Sequence, residues 1–124
     1  MKRAIAIPIL IAALLVLAFA TTNAYRVPTV TVSFVKDRPA QVKTVEFVVD
    51  GLKCRGTSNL FARQIADVPG VVSFTSYART HLALIEYDPT VTDPAEIREA
   101  AVEPIEHEGR IYEVFEVLAE RPVD

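Results

Sequence analysis

The chain has 124 residues, room for one domain and not for two. Past residue 20 it holds 11 Lys and Arg against 16 Asp and Glu, a net charge of −5 that argues against nucleic acid, which calls for a basic patch. A single cysteine, Cys54, excludes a disulfide framework; unpaired in an exported chain, it is a reactive thiol, a ligand or an intermolecular partner.

Lys2 and Arg3 precede AIAIPILIAALLVLAFA, residues 4–20, a run without charge that ends on Ala18-Phe19-Ala20. A basic start, an apolar stretch and a small-residue cleavage site is the layout of a secretory signal. The 17 apolar residues also sit at the lower limit for a membrane-spanning helix. Residues 1–20 therefore read as a signal peptide or a membrane anchor, with Lys2 and Arg3 on the cytoplasmic side. Either way the rest is exported to the periplasm or another extracytoplasmic space. Residues 21–41 read as a linker with Pro28, Pro39 and the charged Lys36-Asp37-Arg38 turn. Val30, Val32 and Phe34 alternate with polar residues, so a short extra strand fits here too.

Residues 42–119 show the order of a folded domain, followed by a tail at 120–124. TVEFVVD, residues 44–50, alternates Val45, Phe47 and Val49 on one face, as a half-buried strand does. Gly51 and Gly56 break it. Thr57 is a helix N-cap candidate, and Leu60, Phe61, Ile65 and Val68 recur at helical spacing until Pro69-Gly70. Residues 71–77 and 81–87 are β-branched and aromatic runs joined by Ala78-Arg79-Thr80, a hairpin. Asp93-Pro94 places an N-cap before a proline at the first helical position, and Ile97, Ala100 and Ala101 form that helix's apolar stripe. Residues 110–120 are read as a last strand.

Strand, helix, strand, strand, helix, strand gives an α+β, ferredoxin-like βαββαβ sandwich: two helices on one four-stranded antiparallel sheet. Tracing strand directions puts the loop after the first strand, the hairpin at 78–80 and the loop near 104–109 at one end. Cys54, His81 and His107 belong to these three segments.

With these elements in order, the chain resembles the heavy-metal-associated domain family of copper chaperones and periplasmic mercury-binding proteins. The resemblance rests on Gly51-Leu52-Lys53-Cys54, on Val68-Pro69-Gly70-Val71 and on Ile85-Glu86-Tyr87-Asp88-Pro89. Where the family has Cys-x-x-Cys, this chain has Cys54-Arg55-Gly56-Thr57, and Leu52 stands where the family has Met. The segment from Ile97 to Gly109 is also longer than the family's. The resemblance implies an extracytoplasmic metal-binding and metal-transfer protein that holds Cu(I), Hg(II) or another soft ion on Cys54. Soft ions prefer thiolates, and a threonine hydroxyl is no substitute for the second one.

The second donor expected is His107, an external thiol or Cys54 of another copy. His107 otherwise reads as a solvated residue between Glu106 and Glu108. His81, with the parity of Ala83 and Ile85, reads as a strand-end residue more readily than as a ligand. The partners implied are the metal ion, a membrane metal transporter or a second copy, with no metal required for folding. The competing expectation is an interaction module that keeps the fold, has lost metal binding and docks on a membrane partner. A distant third is thiol redox chemistry at Cys54. No Ser/His/Asp order, glycine-rich phosphate loop or paired carboxylates occur, so no enzyme is expected.

Overall fold

The computed structural model describes residues 2–24 and 27–123. Helix α1 (Lys2–Ala24) contains the uncharged run and passes through Pro8 without a break. Its described side chains, 6–18, are all exposed, and among the described residues no helix is long and apolar enough to cross a membrane.

The folded part is a sheet with two helices on one face. Strand β1 (Val30–Ser33) is followed by β2 (Lys43–Asp50), α2 (Arg55–Ala66), β3 (Val71–Tyr77), a 3-10 turn (Ala78–Thr80) and β4 (Leu82–Tyr87). Then come α3 (Pro94–Ala101), β5 (Ile105–His107), β6 (Arg110–Tyr112) and β7 (Glu116–Val123). The sheet order is β1-β3-β4-β2-β7, with every neighbouring pair antiparallel.

This corrects the expected four-stranded sheet in two places. The sheet has five strands, because Val30–Ser33 pairs along β3 and brings Val32 and Phe34 onto the core. The single strand expected over 110–120 is two strands in different sheets. Arg110–Tyr112 folds back on Ile105–His107 as a separate hairpin, and only from Glu116 does the chain pair with β2. The cause of the reversal is local. Glu108 and Gly109 both have positive φ, 54° and 77°, which the tight two-residue turn of such a hairpin requires. β7 then runs as far as Val123, through most of the expected tail. Its register against β2 shifts between Val48 and Val49, leaving Leu118 unmatched and 61% exposed.

The core is the face where β2, β3 and β4 meet α2 and α3. Val45, Phe47, Val49, Phe74, Ala83 and Ile85 point inward from the strands, against Phe61 and Ile65 of α2 and Ile97 of α3. Phe61 is central: its ring stacks on Phe74 at 5.1 Å and meets Phe115 edge-on at 5.2 Å. Each such side chain contributes roughly 1.5–3 kcal/mol of transfer free energy before entropy is counted. One polar contact lies inside: Ser76 donates to Ser58 at 2.8 Å, both residues fully buried. It fixes the first turn of α2 to the end of β3, and so positions the residue that starts α2.

Candidate functional site

That residue is Cys54. It is the N-cap of α2, with extended backbone (φ −154°, ψ −179°), rather than a loop residue ahead of a helix capped by Thr57. Thr57 is at the third helical position. Its Oγ1 accepts the N–H groups of Lys53 and Cys54, each at 2.9 Å, and donates to the Cys54 carbonyl at 3.0 Å. These contacts satisfy amides that a helix start leaves without partners. The hydroxyl at the second motif position therefore has a structural task of its own.

The thiol gains from the same arrangement. Cys54 Sγ lies 3.6 Å from Thr57 Oγ1 and is exposed to solvent. The Thr57 amide, then the Thr57 hydroxyl, favour its anion; slight desolvation opposes them and the Gly56 amide adds to them, so the pKa lies below the usual thiol value. Amides at a helix N-terminus stabilise a thiolate for this reason.

Gly51 shapes the approach to Cys54. Its φ is +99°, and a Cβ there would collide with the Val114 carbonyl, so the chain leaving β2 passes directly under the segment leading into β7. Leu52 is fully buried and joins the core beneath the loop.

The two histidines are placed differently. His81 is not in the strand expected of it. It follows the 3-10 turn in the left-handed region (φ 57°), its carbonyl accepts from Val49 N at 2.7 Å, and its Nδ1 lies 2.8 Å from the Leu52 carbonyl. A carbonyl only accepts, so Nδ1 is the donor in this contact. The ring is thus tied to the loop that carries Cys54, a contact that strand parity does not foretell. The left-handed turn that makes it possible is not signalled by any glycine.

His107 ends β5 on the separate hairpin, with its side chain 73% exposed and Nε2 3.8 Å from Glu108 Oε1. No hydrogen bond or ion pair among the described residues links it to the Cys54 loop. Nor, among the described residues, does any group of three or more His, Cys, Asp and Glu gather as a ligand set. The arrangement presents one exposed thiol of lowered pKa, with the His81 imidazole tied to its loop through the Leu52 carbonyl.

No protein-family model and no curated protein matches the chain. Among solved structures, oxidized MerP from Ralstonia metallidurans CH34 is similar at 23% identity and a TM-score of 0.45. The superposition covers 48% of this chain and 83% of that one. At this overlap the likeness assigns neither a family nor a ligand.

Proposed function

We propose that this is an extracytoplasmic metal-binding protein of heavy-metal-associated type. It holds a soft ion, Cu(I) or Hg(II), on the Cys54 thiolate and passes it on by ligand exchange; it is not an enzyme. The observation that carries the reading is the exposed Cys54 Sγ at the start of α2 with its pKa held low by the Thr57 amide and hydroxyl. A lowered pKa raises the share of thiolate, the form that binds a soft ion.

One thiolate needs a second donor. Within the chain we favour His81, whose ring is fastened to the Leu52 carbonyl, over His107 on the separate hairpin. Outside the chain the natural donor is a second thiolate, such as Cys54 of another copy. Residues 4–20, an uncharged run behind Lys2 and Arg3, export the domain as a signal peptide or an anchor.

The test is Cu(I) uptake by the full chain in competition with a chelator of known affinity. Binding should vanish in Cys54→Ser. One ion per chain with loss on His81→Ala identifies the imidazole as second donor; one ion per two chains identifies a shared site. Thr57→Cys, which restores the two-thiol motif, should bind more tightly than either. Two metal–sulfur bonds of about 2.3 Å set end to end span about 4.6 Å, so the present 3.6 Å Sγ···Oγ1 spacing must open by about 1 Å. If Cys54→Ser binds as well as the parent chain, metal binding at this site is wrong, and the interaction-module reading replaces it.

A further inference from the structure

The helix layer carries a groove that the Cys54 site does not use. It lies between the end of α2 and α3 and has a volume of about 670 Å³. Val68, Pro69, Ala100, Val102 and Pro104 form its apolar part. The chain itself fixes the shape. The Gln64 side chain donates to the Glu103 carbonyl at 2.8 Å, which ties the end of α3 to the last turn of α2. Pro69 and Pro104 stiffen the two segments that leave the helices.

Among the described residues, every charged side chain lining the groove is a carboxylate: Asp67, Glu96, Glu99 and Glu103. All four are exposed, and none forms an ion pair, whereas Glu46, Glu86 and Glu120 over the sheet are matched with Arg121, Arg38 and Arg98. Glu96 accepts a hydrogen bond from Thr92 at 2.8 Å, but that donor is neutral. Glu96, Glu99 and Glu103 stand at i, i+3 and i+7, one stripe along α3 and its continuation.

The cations of the neighbouring elements turn elsewhere. Arg63 lines a groove on the β1 side of α2, and Arg98 lies on the β7 side of α3, 3.8 Å from Glu120. Beyond Pro104 the hairpin adds Glu106 and Glu108 against Arg110. Residues 93–120 as a whole hold nine carboxylates against Arg98 and Arg110, so no nearby excess of cations masks the groove. Two of its carboxylates are also placed against helix electrostatics. Asp67 is the C-cap of α2, and Glu103 follows Val102, the C-cap of α3. Helix C-termini carry partial negative charge and favour cations. A positively charged occupant relieves this repulsion.

We propose that the groove docks a basic segment of a partner protein, with Lys or Arg side chains on the carboxylate rim and an apolar side chain against Ala100 and Val102. Charge complementarity identifies the occupant: an apolar floor edged only by unpaired carboxylates selects cations around an apolar contact. The proposal does not rest on metal being bound. Cys54 starts α2, a helix of 12 residues and about 18 Å, and the groove meets the last turn of that helix. A partner held there leaves the thiol open.

The test titrates a fluorescein-labelled heptapeptide of alternating lysine and leucine with the full chain and follows its anisotropy. Binding should saturate, weaken with salt, and fall about tenfold in Asp67→Asn/Glu96→Gln/Glu99→Gln/Glu103→Gln. That variant should melt no lower than the parent chain, which separates lost binding from lost fold. Removing four carboxylates outside the groove, in Glu106→Gln/Glu108→Gln/Glu113→Gln/Glu116→Gln, should change binding by less than about twofold. A peptide with serine in place of leucine keeps the charge and should bind about tenfold more weakly. Iodoacetamide should alkylate Cys54 equally fast with the lysine–leucine peptide bound. Absence of saturable binding, or equal losses in the two quadruple variants, overturns the groove as the docking site. Displacement of the peptide by calcium at fixed ionic strength makes it a cation site instead. A parent chain that sediments as a dimer, with the groove variant monomeric, assigns the groove to a second copy and overturns the proposal. Slowed alkylation places the peptide on the Cys54 loop and overturns it likewise.

Discussion

Replacing Thr57 by alanine separates its two tasks, capping α2 and lowering the Cys54 pKa. The hydroxyl accepts two backbone N–H groups and donates to one carbonyl. Alanine leaves all three to water, which the partial exposure of the site allows. Loss of a helix-start contact of this kind costs about 1 kcal/mol, and in a domain of this size that lowers the thermal midpoint by about 4–8 °C. The thiol should respond only in part. The Thr57 amide, the larger influence on Cys54, belongs to the backbone and stays, while the hydroxyl contribution goes. The pKa should therefore rise toward the usual thiol value without reaching it. Iodoacetamide alkylation rates across pH report the thiolate fraction, and a melting curve reports the cap. Thr57→Ser keeps the hydroxyl and should restore both. If Thr57→Ala melts with the parent chain and its alkylation profile does not move, Thr57 neither caps α2 nor tunes Cys54.

Gly51→Ala should destabilise the domain by about 1–3 kcal/mol in urea titration, since its φ of +99° and the Val114 carbonyl both oppose a side chain; an unchanged midpoint refutes the close approach. The Glu86 carboxyl is held below its usual pKa by hydrogen bonds from Arg38 and then Ser73. Its contribution to stability is present above the unfolded value, about 4.3, and is lost as pH falls through the lower folded value. The stability gap between the parent chain and Glu86→Gln should thus be widest near neutrality and close below about pH 4, and a gap independent of pH contradicts the ion pair. Chelator should leave the thermal midpoint in place, because the core around Phe61, Phe74 and Phe115 is apolar and complete without metal; a collapse on chelation would reveal a structural ion.

What the sequence disclosed followed the strength of its periodicity. Val45, Phe47 and Val49 alternate cleanly, and all three are buried as that alternation requires. Asp93 before Pro94 announces α3, and the Asp93 carboxylate accepts from the Glu96 amide at 2.9 Å. The C-terminal region misled for two reasons. Ile111 and Tyr112 look like strand residues and are, but their partner is the neighbouring β5, and Ile111 is 74% exposed. The extra residue at Leu118 then breaks the period of β7. Leu60, at helical spacing, is only half-buried, while Leu52, between Gly51 and Lys53, is fully buried. At the site, the importance of Cys54 was legible from residue type and its place after Gly51. The tie between His81 and Leu52 was not, because it depends on a left-handed residue and a contact 29 positions apart.

The sheet's two outer strands bear on how many copies can be crowded together safely. An open strand edge is a template for growth by another chain, and proteins blunt it with short strands, proline and charge. β1 offers only four residues. β7 is longer, but it carries Glu116, Glu120 and Arg121, and Pro122 removes one amide donor from the edge. Neighbouring copies therefore have little basis for joining sheets edge to edge into fibres. The domain can accumulate at high local density without its sheets fusing along their edges.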